Sequence, residues 1–246
     1  MTPTHSMILN FVFIALGVIF QTLESILPER KINLKTGFSK DILAFFLLSL
    51  CGVFLSTPLI HLYRELDLSF LAIIHSQNSV IKIILATLIT DFFNYWIHFH
   101  MHKQNWFWKT HIHHHRIEEL YWFSGLRASL GHYASFIFSR ITVGIVLFNL
   151  NSFELLIYLS IGLITNFYQH TNAKLSHPYI EWIFVTPRIH RLHHASNGKR
   201  LKNIATIFSF WDRLFGTYEN PENVTPDYSL GVKNETKSAW KEIIGI

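Results

Sequence analysis

The chain has 246 residues, half of them hydrophobic, and a mean hydropathy of +0.25. These values are typical of an integral membrane protein with one domain. The single cysteine, Cys51, excludes a disulfide framework and a four-cysteine iron–sulfur cluster carried by this chain. No Gly-x-Gly occurs, which excludes a dinucleotide fingerprint or a phosphate loop. The formal net charge of +5 comes from Lys and Arg in loops beside apolar segments, so it indicates membrane topology rather than nucleic-acid binding.

Four apolar stretches are candidate membrane spans. They cover residues 7–27, 42–62, 80–98 and 133–168, the last of which is interrupted near residues 149–151. Hydropathy leaves two readings of the interrupted stretch open, namely two short spans or a re-entrant hairpin. The first stretch lacks the basic region and the small-residue cleavage site of a signal peptide. We therefore predict an all-α, multi-span helical membrane protein with about four spans or span pairs.

The orientation of the spans follows from the basic residues. The loop after the first span is rich in Lys and Arg, including Arg30 and Lys35, whereas the loop after the second carries Arg64 beside Glu65 and Asp67. The positive-inside rule places the first loop in the cytoplasm, so the third span also ends there. The histidines begin at that end. We expect a cytoplasm-facing helical cap that carries them, in a bacterial inner membrane or, in a eukaryote, in the endoplasmic reticulum.

Eight histidines form three clusters with helical spacing. The clusters are His98/His102, His111/His114/His115 and His190/His193/His194. Steps of three and four residues place the imidazoles of each cluster on one helix face. A histidine near a bilayer is costly, and metal binding explains both the number and the spacing. Because one tetrahedral ion takes about four ligands, eight or more imidazoles indicate two metal ions.

The two HxxHH boxes have the same internal spacing, which a chance histidine-rich tract would not reproduce. His100 and His113 lie off the matching stripes and are expected to be bystanders. In the second box, Thr186 is a suitable N-cap and Pro187 a preferred first helical residue, so a short helix is predicted there.

Asp91 and Tyr95 share a helical stripe with His98 and His102. A carboxylate inside an apolar helix needs a partner. Two roles for Asp91 remain equally open at this point: orienting a metal ligand, or making a capping or interhelical hydrogen bond. The aromatic residues that follow are expected to form an interfacial belt around the end of this helix.

The order of these motifs resembles a known family. The segments DFFNYWIHFHMH, FWKTHIHHH, FYQHTN, TPRIHRLHH and WDRLFGTY, over residues 91–218, are similar to the fatty acid hydroxylase/sterol desaturase superfamily of membrane-bound non-haem di-iron oxygenases. The resemblance divides the chain into N-terminal membrane spans (1–90), a catalytic region (91–218) and a polar tail (219–246).

The resemblance implies a ligand set and a chemistry. Its metal ligands would be His98, His102, His111, His114, His115, His170, His190, His193 and His194, and the residues expected to support them are Asp91, Tyr95, Asn203 and Asp212. Two iron ions would use O2 to hydroxylate or desaturate a sterol, a fatty acyl chain or an ether lipid taken from the bilayer. A separate electron donor of the ferredoxin, cytochrome or pterin type is implied, and no nucleic acid.

The sequence also departs from the family pattern. Phe99 stands where many members have Arg, residues 124–129 lack a His-Pro pair, which leaves the role of His132 open, and Ala205 replaces a common Gly. These differences affect the substrate class more than metal binding, and the pattern is slightly closer to the ether-lipid-cleaving branch.

Other classes explain the histidines less well. A metal-binding or metal-transport membrane protein without oxygenase activity is the main alternative, but it would be expected to carry ligands at mid-membrane depth. A zinc hydrolase would be expected to have HExxH, which is absent. A di-haem cytochrome would not explain two HxxHH boxes.

Overall fold

The computed structural model describes residues 3–34, 37–196, 200–224, 228–232 and 239–244. Lys35 and much of the predicted polar tail lie outside these ranges. The described residues contain no named β-strand, only isolated β-bridges such as Pro28 with Ala173 and Phe184 with Phe208. The all-α prediction is therefore confirmed. The α-helices are α1 (Pro3–Ile26), α2 (Phe38–Arg64), α3 (Ala72–His75), α4 (Ser79–Lys103), α5 (Asn105–His115), α6 (Leu130–Ile141), α7 (Ser152–His170), α8 (Pro187–His193), α9 (Phe210–Leu214) and α10 (Ala239–Ile244).

Within the residues that the structure describes, four helices are long and apolar enough to cross a membrane. They are Thr4–Ile26, Phe38–Tyr63, Ser79–Lys103 and Leu130–Leu147. Many of their large apolar side chains are exposed, among them Phe11 on α1 and Phe54 on α2, as expected of helices that face lipid. The chain is an integral membrane protein with about the predicted number of spans.

The interrupted apolar stretch forms a pair of helices. After α6 the chain continues as a π-helix, Thr142–Leu147, and turns before α7 begins at Ser152. The Asn151 side chain accepts hydrogen bonds from the Phe153 and Glu154 amides, and the Glu154 carboxylate accepts one from the Asn151 amide. This capping box fixes the start of α7. Of the pair, the helix from Leu130 to Leu147 meets the length and hydropathy expected of a span.

Two buried polar contacts set the register between α4 and α7. Near the start of both helices, the Lys82 ammonium lies 2.7 Å from the Glu154 carboxylate. Further along, about two turns on α4 and one turn on α7, the Thr90 and Tyr158 hydroxyls lie 2.6 Å apart. The helices therefore run in the same direction and end at the same side of the bundle. Removing one partner of such a buried ion pair typically costs about 3–5 kcal/mol, so the register is well defined.

The parts of the chain outside the spans pack on this end of the bundle. Helix α5 packs on α4, and α8 packs on α7. The predicted short helix of the second box is confirmed, since the Thr186 side chain caps the Ile189 amide and Pro187 is the first helical residue. The predicted boundary at residue 90 falls inside α4, and the three-part division of the chain stays a prediction.

Candidate metal centre

Nine buried histidines meet in two adjacent groups at the shared end of α4 and α7. The five-histidine group consists of His98, His102, His111, His115 and His193, and the four-histidine group of His114, His170, His190 and His194. Within each group, one nitrogen from every ring lies within 4.8 Å of the others. All nine histidines expected to be ligands are in these groups. Their assignment as ligands is a proposal that rests on the geometry described below.

Each HxxHH box is shared between the two groups. In the first box, His111 and His115 belong to the five-histidine group and His114 to the four-histidine group. In the second box the division is reversed. His190 and His194 belong to the four-histidine group, and His193 belongs to the five-histidine group. The His115 and His194 rings stack at 4.4 Å between centroids, so the groups are in direct contact. The helical spacing predicted one shared face for each box but not this division.

The hydrogen bonds of the five-histidine group leave two lone pairs facing each other. Nδ1 of His98 lies 2.6 Å from the Ile204 carbonyl oxygen, and Nδ1 of His193 lies 2.9 Å from that of Lys202. A carbonyl oxygen only accepts, so each Nδ1 carries the proton and each Nε2 keeps a lone pair. The two Nε2 atoms are 3.1 Å apart, and neither can donate to the other.

The four-histidine group repeats this arrangement. Nδ1 of His114 donates to the Arg127 carbonyl oxygen and Nδ1 of His170 to that of Asn166, each at 2.8 Å. The Nε2 atoms of these two histidines are then lone-pair acceptors 3.3 Å apart. A cation between facing lone pairs removes their repulsion. Both groups therefore fit a metal ion. A histidine that binds a metal through one ring nitrogen usually donates the N–H of the other to a carbonyl or carboxylate, as these rings do through Nδ1.

The spacing of the nitrogens also suits metal coordination. In the five-histidine group, Nε2 of His98 lies 2.9 Å from that of His111 and 3.2 Å from that of His102. In the other group, Nε2 of His190 lies 3.0 Å from that of His170 and 3.1 Å from that of His194. A metal–imidazole bond of about 2.1 Å puts ligand atoms at right angles about 3.0 Å apart.

Burial keeps these imidazoles neutral. None of the nine side chains is more than 5% exposed. In the histidines of α5 and α8, the pKa lies well below the usual value of an imidazole, and burial is the largest cause. These residues are His111, His114, His115, His190 and His193. Only a neutral imidazole has a lone pair for a metal, so desolvation prepares these rings for coordination.

One backbone segment, residues 202–208, orients two of the rings. Its Lys202 and Ile204 carbonyls are the acceptors for His193 and His98. The Asp212 carboxylate accepts hydrogen bonds from the Ile204 and Ala205 amides at 2.7 and 3.1 Å and so fixes the middle of the segment. Although these two histidines are 95 residues apart in sequence, the 202–208 segment holds both.

The residues expected to support the ligands all act on this segment. Within the described residues, Asp91 makes no hydrogen bond to a histidine. It accepts hydrogen bonds from the Thr206 hydroxyl at 2.5 Å and from the Ile207 and Phe208 amides at 2.9 Å. Asn203 lies in the segment with φ 56 and exchanges hydrogen bonds with the Glu219 backbone. The Tyr95 hydroxyl is 2.8 Å from the Thr217 hydroxyl, which donates to Asp212. Asp91 thus links α4 by hydrogen bonds to the segment that holds His98 and His193, and a role in orienting these ligands stays a prediction.

Replacing Asp91 with Asn is expected to weaken metal binding in the five-histidine group. The change puts an NH2 donor where a carboxylate oxygen now accepts backbone N–H groups, which shifts the segment that holds His98. Loss of such a supporting partner typically lowers metal affinity about 10–100-fold. Metal titration of the full chain in detergent would measure this effect. Asp67→Asn is the matched control, since Asp67 is exposed and accepts only locally, from Ser69. Equal affinities in the two variants would contradict the role assigned to Asp91.

Two further carboxylates near the site were not predicted. Asp41 at the start of α2 is fully buried, forms an ion pair with Arg127 and accepts from the Tyr121 hydroxyl at 2.5 Å. It thereby fixes Arg127, whose carbonyl accepts from His114. Asp41 lies close to an apolar span, which is the same signal that drew attention to Asp91.

Glu24 provides the second unpredicted anchor. One oxygen of its buried carboxylate accepts from the Trp122 amide, the Thr171 hydroxyl and the Asn172 amide at 2.7–2.9 Å. These bonds attach the end of α1 to the residues that directly follow His170. Glu24 also stands in an apolar helix, so a systematic search for charges in spans would have found it.

The remaining histidines near the site lie outside both groups. His132, whose role was left open, has its Nδ1 3.0 Å from Nδ1 of His111 and packs on Phe136. His100 is exposed on α4. His113 is buried and belongs to neither group, and its expected role as a bystander stays a prediction. His132 thus contacts the clustered rings of His111 and His114 without belonging to either group, whereas His100 and His113 lie apart from both groups.

The fold and the site together define a class: helical membrane proteins with two adjacent all-histidine groups at the end of their spans. Comparison with known families agrees with this class. The family model described as fatty acid hydroxylase matches residues 83–217, which is more than half of the chain. The chain belongs to the fatty acid hydroxylase family.

Individual relatives are enzymes named for lipids. The chain is 35% identical to human (Homo sapiens) alkylglycerol monooxygenase over 147 residues, which are 59% of this chain and 32% of that protein. It is 28% identical to ornithine lipid hydroxylase OlsE of Rhizobium tropici over 57% of this chain and 42% of the relative. Sphingolipid C4-hydroxylase sur2 of Schizosaccharomyces pombe is 25% identical over 63% of this chain and 53% of the relative. The matched region thus spans only about a third to a half of these relatives. No solved structure matches the chain significantly.

Proposed function

We propose that this protein is a membrane lipid hydroxylase that uses two iron ions and O2. The observation that carries the proposal is the pair of adjacent, buried, all-imidazole groups in a chain of the fatty acid hydroxylase family. Facing lone pairs in both groups support a metal ion in each. The five-histidine group would hold one iron and the four-histidine group the other.

Iron in the two groups would supply reductive activation of O2 and removal of hydrogen from an unactivated C–H bond. The protein itself holds the ligands in position. Backbone carbonyls fix the rings of His98, His193, His114 and His170 through Nδ1. Burial of all nine rings excludes water, which protects reactive species from side reactions. A lipid chain held next to the two groups would be oxidised at the carbon that faces them.

The overall reaction needs an electron donor. One oxygen atom of O2 enters the C–H bond as a hydroxyl group, and the other leaves as water with two protons and two electrons. We propose that a separate protein or small molecule of the ferredoxin, cytochrome or pterin type supplies the electrons. The support is that the sequence contains one cysteine and no Gly-x-Gly, so it offers no flavin or iron–sulfur motif of its own.

The substrate we propose is a lipid of the surrounding bilayer. Relatives are named for an alkylglycerol, an ornithine lipid and a sphingolipid, all of which carry long hydrocarbon chains. Their names also favour hydroxylation over desaturation. We further propose that the histidines face the cytoplasm of a bacterial inner membrane, or of the endoplasmic reticulum in a eukaryote, because basic residues such as Arg30 accumulate on that side.

The competing proposal is a metal-binding or metal-transport protein without oxygenase activity. A transporter is expected to place ligands at mid-membrane depth, where they line a pathway. Here His98 and His102 stand in the last two turns of α4, and His170 is the last residue of α7. This clustering at one end favours a catalytic site over a pathway.

Iron analysis and lipid mass spectrometry together test the proposed function. The purified full chain, expressed with ample iron, is expected to bind about two irons through nitrogen ligands. Membranes that contain it, supplied with isotopically labelled O2, are expected to accumulate a lipid that carries the label. His194→Ala should abolish this product, whereas His100→Ala, which changes an exposed ring, should retain it. Folded protein with two irons and no labelled lipid would favour the metal-binding alternative, and folded protein without metal would contradict both.

A further inference from the structure

An apolar cleft lies between α7, the short helical turn Ile180–Trp182 and the 202–208 segment. Its volume is about 440 Å³, which is within the range of small-molecule sites. It is lined by Thr165, Tyr168, Leu175, Ile180, Phe184, Val185, Thr206 and Ile207. None of these residues is one of the nine clustered histidines.

The wall of the cleft presents hydrocarbon to a ligand. Only Thr165, Tyr168 and Thr206 among the lining residues have polar side chains. The Thr165 hydroxyl donates to the Ile161 carbonyl at 3.0 Å, and the Tyr168 hydroxyl donates to that of Leu175 at 3.1 Å. The Thr206 hydroxyl donates to Asp91 at 2.5 Å. Since each hydroxyl already donates within the protein, an apolar ligand fits this wall better than a polar one.

The cleft is continuous with the lipid-facing surface. Tyr158 on α7 contacts Thr90 on α4, so these two residues lie at the same depth of the parallel helices. Thr165 and Tyr168 lie seven and ten residues beyond Tyr158, and the same steps beyond Thr90 reach Ile97 and His100 near the end of α4. The cleft therefore lies level with the last turns of a membrane span. Two of its lining residues, Ile180 (43% exposed) and Phe184 (41%), are themselves exposed, and so are apolar residues next to lining residues in sequence, namely Ile164 (41%), Tyr179 (81%) and Trp182 (64%). Aromatic residues of this kind suit the membrane interface.

The inner wall of the cleft belongs to the segments that hold the metal ligands. Thr206 is two residues from Ile204, whose carbonyl orients His98 in the five-histidine group. Tyr168 is two residues from His170 in the four-histidine group. The cleft thus extends from the lipid side to the supports of both groups.

We propose that this cleft binds the hydrocarbon chain of a membrane lipid and limits the length of chain that reaches the metal centre. The proposal rests on the proposed function, because it assigns the cleft to the substrate of the same site. The occupant is an unbranched alkyl or acyl chain that enters from the bilayer between Ile164 and the turn at Ile180. The side chains that would set the chain length are those of Thr165 on α7 and Ile180 on the helical turn, two separate elements that line the cleft.

Photolabelling of the iron-loaded full chain tests the proposal. The protein is reconstituted in phosphatidylcholine vesicles that contain a phosphatidylcholine with a diazirine in its acyl chain, and labelled residues are mapped by mass spectrometry. Label is expected on Leu175, Phe184 and Ile207. Thr165→Trp and Ile180→Trp fill the cleft from two separate elements and should remove this label without changing the metal content. Ile84→Trp makes the same Ile-to-Trp change at an exposed position of the span α4 (59% exposed) that does not line the cleft, and this control should keep the label.

Turnover gives a second measurement. A filled cleft is expected to shift the preference toward shorter lipid chains by about ten-fold or more, the usual effect of a methylene-sized change in an apolar pocket. The cleft proposal is overturned if the cleft stays unlabelled in the wild type, if Thr165→Trp and Ile180→Trp both label like Ile84→Trp, or if cross-links through the cleft join two copies of this chain. Label in the cleft without any oxidised lipid would instead contradict the proposed function alone. Oxidised lipid with an unchanged chain-length pattern in both Trp variants would contradict the cleft alone.

Discussion

Replacing His114 with alanine is expected to remove one of the two metal ions, whereas replacing its neighbour His113 should leave both. His114 belongs to the four-histidine group, with its Nε2 3.3 Å from that of His170. Its loss leaves three ligands for one ion. His113 is buried outside both groups. Burial is the largest cause that lowers its pKa to about 4, and the positive charge of Arg127 is the next. Its truncation should cost an ordinary amount of stability, about 1 kcal/mol, without removing a metal ligand.

The third member of this series acts on the other ion. His115 belongs to the five-histidine group, where its Nε2 lies 3.1 Å from that of His111. His115→Ala leaves four imidazoles in that group, as many as the intact four-histidine group has, so it should weaken metal binding there without abolishing it, and the double variant of His114 and His115 should retain about one ion. Metal analysis of folded protein measures this, and the lipid product should be lost in every variant except His113→Ala. If His113→Ala were as damaging as His114→Ala while His111→Ala had no effect, the ligand register in this box would be wrong.

The positions of the histidines within each element were predictable because they depend on local periodicity. Spacings of three and four residues placed His98 and His102 on one helix face, and Thr186 with Pro187 marked the start of α8; the structure has both features. The division of each box between two groups depends on how α5, which packs on α4, and α8, which packs on α7, bring their histidine rings into contact. Sequence spacing contains no information about that packing.

The partners of Nδ1 were also beyond sequence reasoning. They are main-chain carbonyls, such as those of Lys202 and Arg127, and any residue type supplies a carbonyl. What the sequence does show is the carboxylates that hold those carbonyls in place. Asp91 was recognised as a charge inside an apolar helix, and Glu24 and Asp41 carry the same signal.

Replacing Gly125 with alanine is expected to disrupt the four-histidine group. A methyl group at this position would lie 2.6 Å from Cγ and Nδ1 of the His170 ring, closer than carbon atoms approach without displacement. The ring has little room to move, because it packs on His114 and His190 at centroid distances of 5.1 and 4.3 Å and its Nδ1 donates to Asn166. The close approach therefore requires glycine, and the displaced His170 would no longer complete its group.

Metal analysis distinguishes this steric effect from general destabilisation. Gly125→Ala should retain about one metal ion, that of the five-histidine group, and lose the lipid product. Gly216→Ala is the control. At Gly216 a methyl group meets no atom within 4 Å, but φ is +73, so the alanine costs about 1–2 kcal/mol of backbone strain without touching a ligand. Loss of metal from Gly216→Ala to the same extent, or two ions in Gly125→Ala, would refute the steric argument. A loss confined to Gly125→Ala would mean that the backbone of residues 122–126 sets the position of His170 by contact, which no histidine motif reveals.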